Sequence, residues 1–234
     1  NNIVSLEQLC DPKYCQVLCY PRCVEDELKR RLRELKDMGV DALEFTGGKT
    51  VSNIQVLGKG CVGIVVIAYV KGRKKALKIR RIDADRKNMQ HEAEMLRKAN
   101  LVKVGPSLLR VSENFILMEF IDGVPLPDWL ENLKGKGLKN RIRRVLRDIL
   151  EQCWRLDGVP LDHGELSKAP KHIIVNSNDK PHIVDFETAS ISRKPSNVTS
   201  ICQFLFIGSQ SAKLIHEKFG EIDKEKLIEA LRNY

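Results

Sequence analysis

LDHGELSKAPKHIIVNSNDKPHIVDFETAS, residues 161–190, sets acids around two short apolar runs. It sets one carboxylate, Glu165, in a polar loop ahead of an apolar run, Ile173 to Val175. A second apolar run, Ile183 and Val184, then delivers Asp185 and Glu187. Two short strands that present acids from their ends suit a divalent ion held over a phosphate. If the second strand stays extended, Asp185 and Glu187 share a face, because side chains alternate with period two.

Downstream of this stretch the chain reads as helices around 198–207 and 210–219, then an amphipathic helix over 223–232. Upstream, PLPDWLENL is a short helix and a long one runs over 139–156. Ile142, Val145, Leu146, Ile149, Leu150 and Cys153 form the core face of the long helix. Arg143, Arg144 and Arg147 lie opposite, as a solvated face or a patch for an acidic partner. Asp122-Gly123 breaks the composition, and before it SLLRVS and NFILMEF form a hairpin around Glu113-Asn114.

Further upstream, IQVLGKG, CVGIVVIAYV and RKKALKIRR are rich in β-branched residues, with Lys71-Gly72 as a turn. Gly58, Gly60, Gly63 and Val65 match G-x-G-x-x-G-x-V between two strands, whereas a dinucleotide fingerprint opens into a helix. Such glycines let a backbone approach phosphate oxygens. A helix follows over 84–99, with Met89, Ala93, Leu96 and Ala99 on one face. At about 100° per residue Glu92 falls within that apolar face. A buried acid there needs a cation, and Lys78 is the natural candidate.

The N-terminal part reads as an irregular segment over 1–23, interrupted by Pro12 and Pro21, then a helix from Glu25 with Leu28, Leu32 and Leu35 inward and Gly39 as its cap. Lys29, Arg30, Arg33, Glu34 and Lys36 stand away from that stripe, as a solvated face. Cys10, Cys15, Cys19 and Cys23 are spaced by five, four and four, unlike the C-x-x-C of common zinc sites. The plainest reading is unpaired, partly buried thiols; a metal site or a disulfide are the alternatives.

With 234 residues, the chain has room for one large domain or two lobes sharing a cleft. A net charge of +9 favours anions such as nucleotides, acidic proteins or RNA, but an aromatic content of 6% gives RNA few stacking platforms. No run approaches the ~20 apolar residues of a membrane span and no signal-peptide pattern opens the chain, so the expected setting is cytoplasmic with no membrane partner.

LGKGCVGIVV, ALKIRR, Glu92, MEFIDG, HGELSKAPKHIIV and IVDFETAS stand in one order that resembles the protein-kinase-like fold over residues 50–205. More narrowly, ALKIRR, DHGELS, KHIIV, DFETAS and SNVTS resemble an archaeal family of atypical serine/threonine kinases near the RIO kinases and the small kinase of the KEOPS complex. The resemblance implies an α+β, bilobal architecture: an N-terminal Cys-rich and helical extension over 1–48, a small antiparallel sheet with one main helix over 49–121, and a mostly helical lobe over 122–234. It implies that Gly58, Gly60, Cys61 and Gly63 cover the phosphates of ATP. Lys78 would hold the phosphates and pair with Glu92, while Val65, Ala76 and Met118 wall the adenine and Glu119 and Ile121 offer it backbone groups. Asp185 would hold Mg²⁺, and Glu165 would orient the accepting hydroxyl.

Three positions depart from that pattern. Glu165 stands where the family has Asp, and its extra methylene moves the carboxylate by about 1.5 Å. His172 stands in place of the metal-binding Asn, seven positions beyond Glu165 rather than five; its plainer reading is a structural hydrogen-bonding residue, and as a metal ligand imidazole suits Mn²⁺ better than Mg²⁺. Glu187 replaces the last Gly of D-F-G and is a candidate second carboxylate on the metal. The expected activity is transfer of the ATP γ-phosphate to Ser or Thr of a protein, itself included. The rivals are an ATPase or pseudokinase switch serving an RNA- or ribosome-related partner, and a small-molecule kinase.

Overall fold

The structure is a computed structural model that describes residues 2–234. Contacts divide it into two compact units: residues up to Glu94 with Ser107–Phe120, and Met95–Pro106 with Ile121–Tyr234. The sequence places its boundaries at 48 and 121. In the structure the N-terminal segment and the sheet belong to one unit, because they share hydrogen-bonded strands.

The first unit holds β1 (Ile3–Ser5), α1 (Pro12–Leu18), α2 (Glu25–Asp37), β2 (Ala42–Glu44), β3 (Lys49–Val51), β4 (Ile54–Val56), β5 (Gly58–Lys59), β6 (Gly63–Val70) and β7 (Arg73–Arg80). The start of α3 (Gln90–Leu101) and the hairpin β8 (Leu108–Val111) and β9 (Phe115–Glu119) complete it. Its main sheet is antiparallel in the order β1-β2-β6-β7-β9-β8, with β5 on β6. Lys71 and Gly72, both at positive φ (49° and 70°), close the β6–β7 hairpin in the two-residue turn whose twist matches the strands.

Residues 2–23 are more regular than expected. Pro12 opens α1 at its first position, where no N–H is required, and the Asp11 carboxylate caps Lys13 N–H at 2.9 Å. Cys15 and Cys23 are joined by a disulfide, while Cys10 and Cys19 are free. Leu9, Val17, Leu18, Leu28 and Leu35 then enter one apolar cluster with Leu43, Ile64, Val66, Leu77 and Phe115.

The polar side of α2 is not wholly solvated either. Arg31 is fully buried and donates to Glu27, to the Leu18 and Arg80 carbonyls at 2.6 Å each, and to Asn114 Oδ1. Glu34 accepts from Asn114 N–H and Nδ2 and from the Ser112 hydroxyl. The helix is thus bonded to the end of β7, the strand that carries Lys78, and to the turn between β8 and β9. A buried charge in such a network is costly to strand, so α2 is fixed in place.

The second unit holds the rest of α3, then β10 (Gly123–Pro125), α4 (Leu126–Asn132), α5 (Leu138–Gly158), β11 (Ile173–Asn176), β12 (Pro181–Ile183), α6 (Asn197–Cys202), α7 (Gln210–Phe219) and α8 (Lys224–Arg232). β10, β11 and β12 form a three-stranded antiparallel sheet. Five of the six expected core residues of α5 are buried; Leu150 is only half-buried, and Gln152 is buried in addition. Gln152 holds the strand that leads to Asp185: its Nε2 donates to the Pro181 carbonyl at 2.8 Å. No helix among the described residues is long and apolar enough to cross a membrane.

Candidate functional site

In the sheet unit, β7 carries Lys78 and α3 carries Glu92. Lys78 Nζ donates to Glu92 Oε1 at 2.8 Å, with the two side chains 5% and 6% exposed. The helix begins at Gln90 rather than Ala84, because the Asn88 side chain takes the Gln90 N–H and Met89 N–H bonds to the Glu113 carbonyl. Glu92 therefore lies in the first turn, where a negative charge is favoured by the helix dipole.

The glycine-rich turn is fitted around the same lysine. Gly58 pairs with Val65 and Val65 with Lys78. A Cβ at Gly63 would lie 3.0 Å from the Lys78 chain and from the Ile79 carbonyl, tight enough that a neighbour would have to shift slightly. Gly60 N–H closes the turn onto the Gly63 carbonyl at 2.8 Å, and Cys61 is exposed in it. Ala76 and Met118 are register partners on β7 and β9. Glu119 donates its N–H to the Ser107 carbonyl, and its carboxylate accepts from Ser107. Ile121 belongs to the second unit and is half-buried.

In the helical unit, Glu165, His172 and Asp185 converge. His172 Nε2 lies 3.6 Å from Glu165 Oε2 and 3.6 Å from Asp185 Oδ2, and the three ligand atoms are all within 4.8 Å of one another. Those spacings are too long for hydrogen bonds. The 3.6 Å between His172 and Asp185 is compatible with two donors around one ion at the usual ~2.1 Å. Both ring nitrogens of His172 are buried without a hydrogen-bond partner, which a buried imidazole rarely tolerates unless something binds it. An imidazole beside a carboxylate, His172 with Asp185, fits a divalent transition ion such as Mn²⁺ better than Mg²⁺, with Glu165 next to the pair.

Asp185 adopts φ 67°, in the left-handed region that Asp tolerates better than most residues. β12 has already ended at Ile183. The strand alternation that aligned Asp185 with Glu187 therefore fails, and Glu187 is not among the three clustered residues.

The loop behind this cluster is held by residues that the sequence did not mark. Thr188 Oγ1 donates to the His163 carbonyl and lies 3.2 Å from Glu165 Oε2. Arg193 donates to Asp162 at 2.8 Å and to the Thr188 carbonyl. Gly164 sits at φ 90°, and a Cβ there would come 2.6 Å from Arg193 Nη2. Asn197 accepts His163 N–H and donates to Asp157 and the Leu161 carbonyl. His163 is fully buried; that burial pulls its pKa down to about 4, so the ring is neutral at ordinary pH. Its Nε2 bonds to the Val184 carbonyl at 3.0 Å and its ring meets Phe186 edge-on. Nothing near Arg193 in sequence signals its role. Its partner Asp162, in the quoted stretch, was the available clue.

A strand lysine locked to a helix glutamate, and a loop and strand end that gather two acids, are the distributed parts of a protein-kinase-like fold. The RIO domain family matches residues 66–201, more than half of the chain, and the chain belongs to that family. It is 33% identical over 112 residues to an uncharacterized protein of Methanocaldococcus jannaschii, an alignment covering 47% of this chain and 91% of that one. It is also 23% identical over 222 residues to human serine/threonine-protein kinase Nek10, covering 85% of this chain and 18% of the kinase. Among solved structures, the autoinhibited serine kinase domain of titin matches 58% of this chain and 44% of that one, at 17% identity and a TM-score of 0.45.

Proposed function

We propose that the protein is an ATP-dependent phosphotransferase that passes the γ-phosphate to a Ser or Thr hydroxyl of a protein, its own chain included. The observation that carries this reading is the convergence of Glu165, His172 and Asp185 around a buried imidazole with no hydrogen-bond partner. In this reading Lys78, fixed by Glu92, holds the α- and β-phosphates, and the Gly58–Gly63 turn lies over them. Val65, Ala76, Met118, Glu119 and Ile121 serve the adenine. Asp185 and His172 hold a divalent ion, which when bound neutralises charge between the phosphates. Glu165 accepts a hydrogen bond from the attacking hydroxyl and orients it. Thr188 and Gly164 set the position of that carboxylate, which compensates for its additional methylene. Catalysis is positioning and charge neutralisation, with no covalent intermediate on the protein.

A second reading is an ATPase or nucleotide-dependent switch acting on a partner; the pairing of Glu165 and His172, where the kinase pattern has Asp and Asn, favours it. Incubation with γ-labelled ATP and Mn²⁺ or Mg²⁺ separates the two. Label on protein Ser or Thr supports the kinase, free phosphate alone supports the ATPase, and bound ATP with no turnover supports the switch. Failure to bind ATP overturns both.

A further inference from the structure

The N-terminal segment and the glycine-rich turn both precede the residues matched to the RIO domain, and the two meet. The Cys15–Cys23 disulfide closes a loop between α1 and α2 that contains Tyr20. This loop is tied to the end of β7 by a 2.8 Å bond from Ile82 N–H to the Tyr20 carbonyl. The Tyr20 ring then receives two cations. Lys59 Nζ, from within the turn, is 4.3 Å from the ring centroid, and Arg81 Cζ is 4.9 Å from it. Both distances are within the range of cation–π attraction.

Arg81 is the link between ring and turn. Its Nη1 donates to the Gly60 carbonyl at 2.9 Å and its backbone N–H to the Val62 carbonyl at 2.8 Å, so it grips the turn at two places. Asp83 takes its other two nitrogens at 2.8 and 2.7 Å. Lys59 and Arg81 are like charges brought to one ring. The ring's negative face and the Asp83 carboxylate offset the repulsion that would otherwise push the turn outward.

We infer that Tyr20 is a positioning residue for the glycine-rich turn, holding Lys59 and Arg81 so that residues 58–63 are set for the phosphates of a nucleotide. This rests on the nucleotide reading above. Tyr20 itself meets no substrate, and its effect is transmitted through Lys59 and Arg81. Loss of the ring should loosen the turn and weaken binding of the triphosphate, while the adenine contacts, which do not involve the turn, remain.

The test compares Tyr20→Leu and Tyr20→Phe with the parent in two measurements. In nucleotide-free protein, amide exchange over residues 58–63 should rise about fivefold in Tyr20→Leu, the factor for one exposed cation–π contact. ATP affinity should fall by about the same factor with adenosine affinity unchanged, and Tyr20→Phe, which keeps the ring face, should match the parent. Unchanged exchange in Tyr20→Leu overturns the inference. So does an equal loss for ATP and adenosine, or a Phe variant as impaired as Leu. If the parent binds neither ATP nor adenosine, the nucleotide reading fails and this role falls with it, while faster exchange still shows that Tyr20 holds the turn. Should Tyr20→Leu fail to fold, Lys59→Ala breaks the same contact from its exposed side, and unchanged exchange there overturns the inference.

Discussion

In the sheet unit two charges, Lys78 and Glu92, face each other at 2.8 Å and are sealed from water. In the helical unit three ligand atoms stand farther apart, around an imidazole with no hydrogen-bond partner, and the Glu165 and Asp185 side chains keep 36% and 29% of their exposure. The first pair is joined directly by a hydrogen bond. In the second, the imidazole is too far from either carboxylate for a hydrogen bond. A closed pair of this kind contributes to stability and to the placement of one lysine, whereas an open group of like charges contributes to binding and weakens the fold that carries it.

The contrast is tested most strongly by removing one member of each. Glu92→Ala strands a buried ammonium and should lower unfolding stability by about 3–5 kcal/mol in a urea titration. Asp185→Asn, by contrast, should leave stability within about 0.5 kcal/mol of the parent or raise it, while abolishing metal-dependent activity. Equal destabilisation by the two would erase the distinction between closed and open groups. Next in size, Glu165→Asp withdraws the carboxylate from the hydroxyl it orients and should cut label transfer about a hundredfold with ATP affinity unchanged. A variant as active as the parent would show that the loop around Gly164 and Thr188 does not compensate for the longer side chain.

A control outside both groups gives the smallest effect. Asp179 accepts from Arg141 at 2.6 and 2.8 Å and from the Trp129 indole at 3.0 Å, and the Arg141 bond holds its carboxyl below the usual range. With the folded pKa depressed, its contribution is present above the ordinary carboxylate pKa and is lost as pH falls through the folded value. Asp179→Asn should therefore cost about 1 kcal/mol at neutral pH, and the difference from the parent should vanish in acid. Trp129 fluorescence during unfolding at several pH values measures it, and a constant difference would contradict the assignment.

How far the sequence reaches depends on how locally a position is determined. The burial of Glu92 followed from helical period alone, and the antiparallel strands followed from β-branched runs and the Lys71-Gly72 turn. The placement of Glu187 did not, because one left-handed residue, Asp185, breaks the alternation on which it depended. Arg31, Gln152 and Arg193 were also out of reach. Their partners Asn114, Pro181 and Asp162 lie 83, 29 and 31 residues away, and spacing rules see only a few residues along the chain. Pro12 bars a long helix through it, as expected, yet it also starts α1. Proline breaks a helix interior but suits a helix start, and the cap at Asp11 decides between them.

The central claim, that His172 joins Asp185 in holding a divalent ion, is tested most directly by electron paramagnetic resonance of Mn²⁺ added with ADP. The expected result is bound Mn²⁺ with a ¹⁴N coupling from a directly ligated imidazole, lost in His172→Asn while the ion remains bound. Bound Mn²⁺ without that coupling in the parent, or a coupling that survives the substitution, would contradict it.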